Sequence, residues 1–172
     1  MITVRPARIE DAAALCAAER EISRTPGLLV SQPDELSTEN FAAIISGTAN
    51  GAGCYVVAEE GGKVVGHGVL KPMDLRAVSH VFRLTIAVHP GHGGHGVGTA
   101  IMAALADWAR RTPGVEKIEL LVRASNQAAL RLYRKFGFVE EGRFRNRIRL
   151  TNGCYVDDLS MAWFPKQAAT AN

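Results

Sequence analysis

The chain has 172 residues, a formal net charge of +3 and a hydrophobic fraction of 47%. These values fit one globular domain and exclude a disordered or collagen-like chain, and the mild charge does not predict a nucleic-acid partner. No apolar run approaches the roughly 18 residues of a membrane span, so we expect no membrane partner, and the N-terminus lacks the apolar stretch of a signal peptide. The three cysteines have no paired spacing, which predicts buried thiols in a reducing compartment and a cytoplasmic location.

The first half of the chain predicts one strand, two helices and a hairpin. Residues 2–5 are a short strand candidate, and the alanine-rich run 12–22 has the periodicity of an amphipathic helix. Thr38 is the predicted N-cap of a second helix, because apolar residues follow it at helical spacing. Two β-rich runs, 54–58 and 63–70, flank a Glu-Glu-Gly-Gly turn and predict a hairpin.

The second half predicts four strands and two helices. One helix follows a glycine-rich loop, and the other begins at Ser125 or Asn126 as its cap. An Asn-Gly turn joins the last two strands, which is a strong hairpin signal. The whole order, β-α-α-β-β-β-α-β-α-β-β, predicts a mixed α/β domain over residues 1–164 and a flexible tail at 165–172. The strands predicted in this half are 79–88, 117–122, 138–150 and 154–163.

The glycine-rich loop is the first feature that indicates a function. Five glycines lie from Gly91 to Gly98, between a predicted strand and a predicted helix. Such a loop is typical of a phosphate site, because the helix N-terminus presents unpaired N–H groups and glycines let a ligand approach them. A Walker loop is excluded, because no Lys precedes Thr99. A dinucleotide G-x-G-x-x-G pattern is formally present, but Glu116 begins the following strand instead of ending it.

A third interpretation rests on two motifs. The stretch Val-His-Pro-Gly-His-Gly-Gly-His-Gly-Val-Gly at 88–98 resembles the acetyl-coenzyme A loop of the GNAT acetyltransferase superfamily, Val-x-Pro-x-Tyr-Arg-Gly-x-Gly-Val/Ile-Gly. His92 stands at the Tyr position and Gly93 at the Arg position, so backbone amides would carry the phosphate binding. Residues 126–138 resemble the second cofactor motif, Asn-x-x-Ala-x-x-Leu-Tyr-x-Lys-x-Gly-Phe, at nearly every fixed position. The resemblance spans about residues 79–163.

The resemblance implies a fold, a cosubstrate and an acceptor class. The fold would be a mixed, mostly antiparallel sheet of about seven strands with one splayed parallel pair, flanked by about four helices. The closing stretch 142–161 is similar to a bacterial branch that acetylates amino acids and other small amines, and family habit implies a homodimer. Acetyl-CoA would be the cosubstrate, with the pyrophosphate on the loop amides and the pantetheine along the end of the preceding strand. The residues assigned to it are Ile86, Ala87, Val88, Gly93, Gly94, His95, Gly96, Val97, Gly98, Thr99, Asn126, Ala129 and Tyr133.

Acetyl transfer to an amine needs a proton donor for the departing thiolate and a proton acceptor for the amine. Tyr133 stands at the family's position for the acid, although it also lies on the apolar face of its helix and could simply pack there. His80 is the first candidate for the base, with a half-buried structural histidine as the equal alternative. His67 and Glu59 are weaker candidates, and many members of the superfamily use a chain of water molecules instead.

Two other clusters leave alternatives open. His89, His92 and His95 are three residues apart, but the loop is not a regular helix and no carboxylate or thiolate is near them, so we predict no metal. Four arginines alternate along one predicted strand, opposite apolar residues. They are either a charged face that protects a sheet edge or a site for an anion such as a substrate carboxylate. These arginines are Arg143, Arg145, Arg147 and Arg149.

We therefore expect an acetyl-CoA-dependent N-acetyltransferase whose acceptor is a small-molecule amine, an amino acid or a similar compound. Direct attack is favoured, because neither motif contains a Cys that could carry an acyl group. The alternatives are an acetyltransferase for protein N-termini or lysines, a non-catalytic acyl-CoA sensor and a dinucleotide oxidoreductase.

Overall fold

The computed structural model describes residues 1–167 and shows one seven-stranded sheet flanked by four α-helices. The sheet order is β1-β2-β3-β4-β5-β7-β6, in which β4 and β5 run parallel and every other pair of neighbouring strands runs antiparallel. The predicted fold class is confirmed, and positions 168–172 of the predicted tail lie outside the described residues. The elements are β1 (Ile2–Pro6), α1 (Ala12–Ser23), α2 (Thr38–Thr48), β2 (Cys54–Glu60), β3 (Lys63–Pro72), β4 (Val81–Val88), α3 (Val97–Arg111), β5 (Lys117–Arg123), α4 (Gln127–Lys135), β6 (Val139–Arg149) and β7 (Tyr155–Trp163).

The sheet buries both of its faces, and each face has its own core. Successive residues of a strand point to opposite faces, so Val56 and Ala58 of β2 pack with α3 while Tyr55 and Val57 pack with α1 and α2. The α3 side also includes Leu130 and Tyr133 from α4 and the inner residues of β5 and β7. No helix within residues 1–167 is long and apolar enough to cross a bilayer.

Strands β4 and β5 are joined only at one end, and this opens the sheet. Their register pairs run from Val81↔Lys117 to Arg83↔Glu119 and stop there. Beyond that point β4 leads into the glycine-rich loop and α3, while β5 leads into α4. The N-termini of α3 and α4 therefore lie beside the gap between the two strands.

Local details differ from the predictions in three places. Ser37 caps α2 instead of Thr38, and its side chain accepts a hydrogen bond from the N–H of Asn40 at 3.2 Å. The arginine alternation along β6 is broken, because Asn146 adopts a φ of 51° and the register with β7 shifts between Phe144 and Ile148. Phe144 is 45% exposed as a result, and Cys154 is exposed although buried thiols were expected.

Close packing of α3 on β3 depends on glycine, which gives a testable stability effect. A Cβ on Gly68 would lie 2.6 Å from Cγ2 of Ile101 and 3.0 Å from Cδ1 of Leu105. We expect Gly68→Ala to lower the free energy of unfolding by about 1–3 kcal/mol, because both side chains must leave their packed positions. Gly47→Ala is the control: a Cβ there meets nothing within 4 Å, and alanine should stabilise α2 by about 0.5–1 kcal/mol. Urea unfolding measures both, and equal effects of the two variants would contradict this packing.

Candidate active site

The gap between β4 and β5 holds a cavity of about 490 Å³. Its walls are the end of β4, the glycine-rich loop, the first turn of α3 and one face of α4. Every residue that the resemblance assigned to the cosubstrate lines this cavity except His95, which is exposed at the loop surface. The sequence motifs did not point to several further lining residues, because they belong to no motif or to variable motif positions. These residues are Ile22, Leu28, Leu29, Ala128 and Arg131. His92 and Leu132 also line the cavity, and both stand at fixed positions of the two motifs.

The glycine-rich loop has the shape of an anion cradle. Gly94 and Gly96 have φ values of 80° and 85°, a backbone conformation that favours glycine. A Cβ at either position would meet no heavy atom within 4 Å, so the space above the loop is open to a ligand. The first intrahelical bond of α3 runs from the N–H of Ala100 to Gly96, which leaves the preceding amides free for phosphate oxygens. The described residues therefore fit the diphosphate of a coenzyme.

A second chamber of about 290 Å³ adjoins the first on the side of α1. The two share Ile86 of β4, Tyr133 of α4 and the Leu28–Leu29 turn in their walls. Its two charged lining residues are Glu19 from α1 and Arg123 from the end of β5. The gap is thus one continuous slot, with a long apolar and glycine-lined part and a short part that carries both signs of charge.

Tyr133 lies where the two chambers meet. Its side chain is 7% exposed, and its ring packs on Phe138 at a centroid distance of 5.7 Å. Burial raises the pKa of Tyr133 to about 12, while the charge of Arg123 acts in the opposite direction. The hydroxyl therefore stays protonated near neutral pH and can donate a proton at this junction.

Arg123 belongs to a buried charge cluster at the floor of the second chamber. Its Nε donates to Oδ1 of Asp158, a fully buried residue of β7, and Nη2 donates to the carbonyl of Leu121 at 3.4 Å. Nε of Arg147 lies 3.3 Å from the other oxygen of Asp158. Two guanidinium groups thus share one carboxylate, and the cluster has one positive charge in excess. Arg123 and Asp158 are 35 residues apart in the sequence, and no motif indicated that they form a pair.

Glu19 belongs to a second buried cluster, with two histidines. Its Oε1 lies 2.9 Å from Nε2 of His67, which is 1% exposed, and Nδ1 of His67 lies 3.0 Å from Nε2 of His89. Nδ1 of His89 lies 3.1 Å from the carbonyl oxygen of Val64. Burial lowers the pKa of His89 to about 4. Within residues 1–167, no group of three or more His, Cys, Asp or Glu side chains is arranged to hold a metal ion.

The structure does not bring the other candidate bases to the slot. His80 precedes β4 at the end away from the glycine-rich loop, about 20 Å along the strand from Ile86. Its carbonyl accepts hydrogen bonds from the N–H groups of Glu116 and Lys117, and it lines neither chamber. Glu59 of β2 is bound by an ion pair of 2.6 Å to Arg5 of the edge strand β1, and it lines neither chamber. A base assignment to His80 is therefore not supported by its position.

Two of the four arginines of β6 pair with aspartates of β7. Arg143 donates from Nε to Asp157 at 2.7 Å, while Arg147 faces Asp158 across the Asn146 bulge. Arg143 thus forms a surface pair at the sheet edge, and Arg147 joins the charge cluster under the second chamber.

Comparison with known proteins agrees with this geometry. L-amino acid N-acetyltransferase AaaT of Escherichia coli K12 is 35% identical over 101 residues, which cover 59% of this chain and 62% of AaaT. N-alpha-acetyltransferase RimI of Mycobacterium tuberculosis is 36% identical over 97 residues, which cover 56% of this chain and 59% of RimI. The matched segments therefore span less than two thirds of these relatives' own lengths.

Solved structures share the whole fold. YncA of Salmonella typhimurium, solved with its cofactor acetyl-CoA, superposes with a TM-score of 0.88 at 22% identity and covers 100% of this chain and 98% of its own. A phosphinothricin acetyltransferase of Sinorhizobium meliloti in complex with AcCoA gives 0.85 at 21% identity, covering 99% and 92%. The family model described as "Acetyltransferase (GNAT) family" matches residues 17–138, which include the glycine-rich loop, the β4–β5 gap and α4. By this match the chain belongs to the GNAT family of acetyltransferases.

Proposed function

We propose that this protein is an acetyl-CoA-dependent N-acetyltransferase that acetylates the amino group of a small molecule bearing a carboxylate, of which an amino acid is the simplest case. The observation that carries the proposal is the two-part slot between β4 and β5. Its long part has a phosphate cradle at one end, and its short part holds one acidic and one basic side chain. Tyr133 lies between them.

The first chamber suits acetyl-CoA, because it is long and has free backbone amides at one end. The open amides before Ala100 would hold the diphosphate, and the unpaired end of β4 would hydrogen-bond the amides of the pantetheine arm as an added strand does. The thioester would then lie near Tyr133. The cosubstrate supplies the activated acetyl group, and the chain's own residues bind, orient and exchange protons.

The second chamber suits a zwitterion, which carries both an ammonium and a carboxylate group. Glu19 offers a carboxylate to an ammonium group, and Arg123 offers a guanidinium to a carboxylate. The cluster of Arg123, Arg147 and Asp158 has one positive charge in excess, so one further anion would balance its charge. Arg123 donates from Nε and Nη2 within residues 1–167, and its remaining donors would serve that anion. Relatives named as L-amino acid N-acetyltransferases fit this acceptor class.

Tyr133 would protonate the thiolate as it leaves. Its raised pKa keeps the proton on the hydroxyl, which can donate to the thiolate as the C–S bond breaks. A thiolate is less basic than this phenolate, so the transfer is completed when Tyr133 takes a proton from the strongly acidic acetylated nitrogen. The acceptor nitrogen loses its own proton in the same step.

A protein N-terminus is the second candidate acceptor, favoured by the identity to RimI. A peptide has no carboxylate beside its reactive amine, so the donors of Arg123 that face the chamber would gain no partner in such a complex. A spermidine acetyltransferase of Escherichia coli is also related, at 29% identity, and its polyamine likewise has no carboxylate. The relative rates with amino acids, peptide N-termini and polyamines therefore distinguish the three classes of acceptor.

We expect an L-amino acid to be acetylated with a kcat/KM about 10–150-fold above that of the amine obtained by removing its carboxylate. A hydrogen bond to a charged group contributes about 1.5–3 kcal/mol, which gives this range. Thiol release from acetyl-CoA measures the rate for matched pairs of amino acid, decarboxylated amine and peptide with the same first residue. Arg123→Lys keeps the charge beside Asp158 but not the planar fork of donors, so it should reduce the preference. Equal rates within each pair, or a preference for the peptide, would overturn the amino-acid assignment.

A further inference from the structure

The buried contacts of Glu19, His67 and His89 define which nitrogen carries each proton. The carbonyl of Val64 can only accept a hydrogen bond, so Nδ1 of His89, 3.1 Å away, must be the donor. Burial lowers the pKa of His89 to about 4, so His89 is neutral at pH 7 and its Nε2 has no proton. Nδ1 of His67, 3.0 Å from that Nε2, must then donate to it.

With this order of donors, the end of the hydrogen-bonded series that can accept a proton is Glu19, in the wall of the second chamber. When His67 carries a single proton, on Nδ1, its Nε2 has a lone pair that faces the carboxyl oxygen of Glu19 at 2.9 Å. The three contacts have room for three protons, and two imidazoles with one proton each supply two. The vacant place is the gap between Glu19 and His67, where an added proton completes the third hydrogen bond.

We propose that Glu19 and His67 accept the proton that the acceptor's ammonium group must lose before it attacks the thioester. His89 and the carbonyl of Val64 are positioning groups that hold His67 in the tautomer able to receive it. The inference rests on the proposed function, since it assigns the base for that reaction. Glu19 lines the chamber and would contact the ammonium group, whereas His67 acts through Glu19.

The proton balance of the reaction is complete with these groups. The ammonium gives one proton to the Glu19–His67 gap, and the neutral amine forms the C–N bond while the C–S bond breaks. Tyr133 gives its proton to the thiolate and recovers one from the acetylated nitrogen. The proton in the Glu19–His67 gap then leaves to water, so each turnover releases one proton.

Other titratable groups, from several elements, lie near the hydrogen-bonded series of Glu19, His67 and His89. Tyr55 of β2 has its ring 5.9 Å from that of His67, and burial raises the pKa of Tyr55, so its hydroxyl is neutral. Phe41 of α2 covers His67 from the other side. On the loop side, His92 lies next to His89 and 4.0 Å from Glu60 of β2. Among residues 1–167, Glu19 is thus the carboxyl group in direct contact with His67.

Glu19→Gln tests the base without removing the packing. The amide of Gln can donate to Nε2 of His67 in the same geometry, so the chain stays hydrogen-bonded but cannot take a proton. We expect kcat/KM at pH 7 to fall by about 10²–10⁴-fold. The rate of Glu19→Gln should rise about tenfold per pH unit until the pH passes the pKa of the acceptor amine, where it approaches the wild-type rate. Glu21→Gln, on the exposed side of α1, is the matched control and should behave as wild type.

His89→Gln tests the positioning role and should give a smaller loss with the same recovery at high pH. Nitrogen NMR of the wild-type imidazoles tests the tautomers without any turnover: we expect the proton on Nδ1 of His89 at pH 7. A proton on Nε2 of His89, or a Glu19→Gln enzyme with the wild-type rate and pH profile, would overturn the proposal. Absence of N-acetylated product from the wild-type enzyme with every acceptor would instead overturn the proposed function, and the NMR result would still decide the proton order.

Discussion

Tyr133→Phe is expected to lower kcat by about 10²–10⁴-fold, which is the usual contribution of a general acid. The ring would keep its contact with Phe138 at 5.7 Å, so the KM for acetyl-CoA should change little. Because burial raises the pKa of Tyr133 to about 12, the hydroxyl remains a donor throughout pH 6–10. Loss of this proton therefore cannot cause any decline of wild-type activity within that range.

Tyr155→Phe is the matched control for this experiment. Tyr155 is 56% exposed on β7 and lines neither chamber, so its hydroxyl has no part in the proposed reaction. Steady-state rates of thiol release at saturating amine and acetyl-CoA measure both variants. A Tyr133→Phe enzyme with kcat within twofold of wild type would show that Tyr133 only packs.

Asp158→Ala is expected to destabilise the protein by about 3–5 kcal/mol, because it leaves the guanidinium of Arg123 buried without its counter-charge. Asp158 is fully buried and Arg123 is 7% exposed, so water can reach Arg123 only from the chamber and not from the side of the missing carboxylate. Guanidinium chloride unfolding measures the loss.

Two variants separate the charge effect from a general effect of truncation. Asp107→Ala removes the carboxylate of an exposed pair with Arg111 on α3 and should cost far less. Replacing both Arg123 and Asp158 with apolar residues of similar volume should restore much of the lost stability, since no buried charge is then left alone. An Asp158→Ala protein no less stable than Asp107→Ala would contradict the buried cluster.

Most residues predicted to bind the coenzyme line the first chamber together, and they could be predicted because their sequence signals are local. The glycine-rich loop and the stretch from Asn126 are continuous motifs, and the hydrogen bond from the N–H of Ala129 to Asn126 is set within one helical turn. Gly137, the glycine of the second motif, has a φ of 91° and follows the C-cap residue Phe136 of α4. The order of strands and helices was predicted from local sequence signals of the same kind.

The groups that we propose as the base in the second chamber could not be found in the same way. Glu19, His67 and His89 are separated by 48 and 22 residues, and they meet only because β3 pairs with β4 while α1 covers that face. His67 was a weak candidate because an isolated histidine in a strand gives no sign of its partners. His80 ranked higher because it was placed on the same strand face as Ile86, but a strand separates residues by about 3.3 Å each and carries it away from the slot.

The arginine row of β6 shows how one residue changes a periodic pattern. Regular alternation predicted four arginines on one face, but the left-handed Asn146 inserts a bulge and turns Arg147 toward Asp158. Phe144 is exposed for the same reason. Neither consequence is visible in the spacing of the arginines.

The most direct test of the acetyltransferase assignment follows the acetyl group itself. Acetyl-CoA labelled with a heavy carbon isotope in the acetyl group is incubated with the wild-type protein and a mixture of L-amino acids, and the products are identified by NMR. We expect the label to appear in an amide bound to the α-nitrogen, with formation of an equal amount of free CoA. Label that remains in the thioester or appears only as acetate would contradict the assignment.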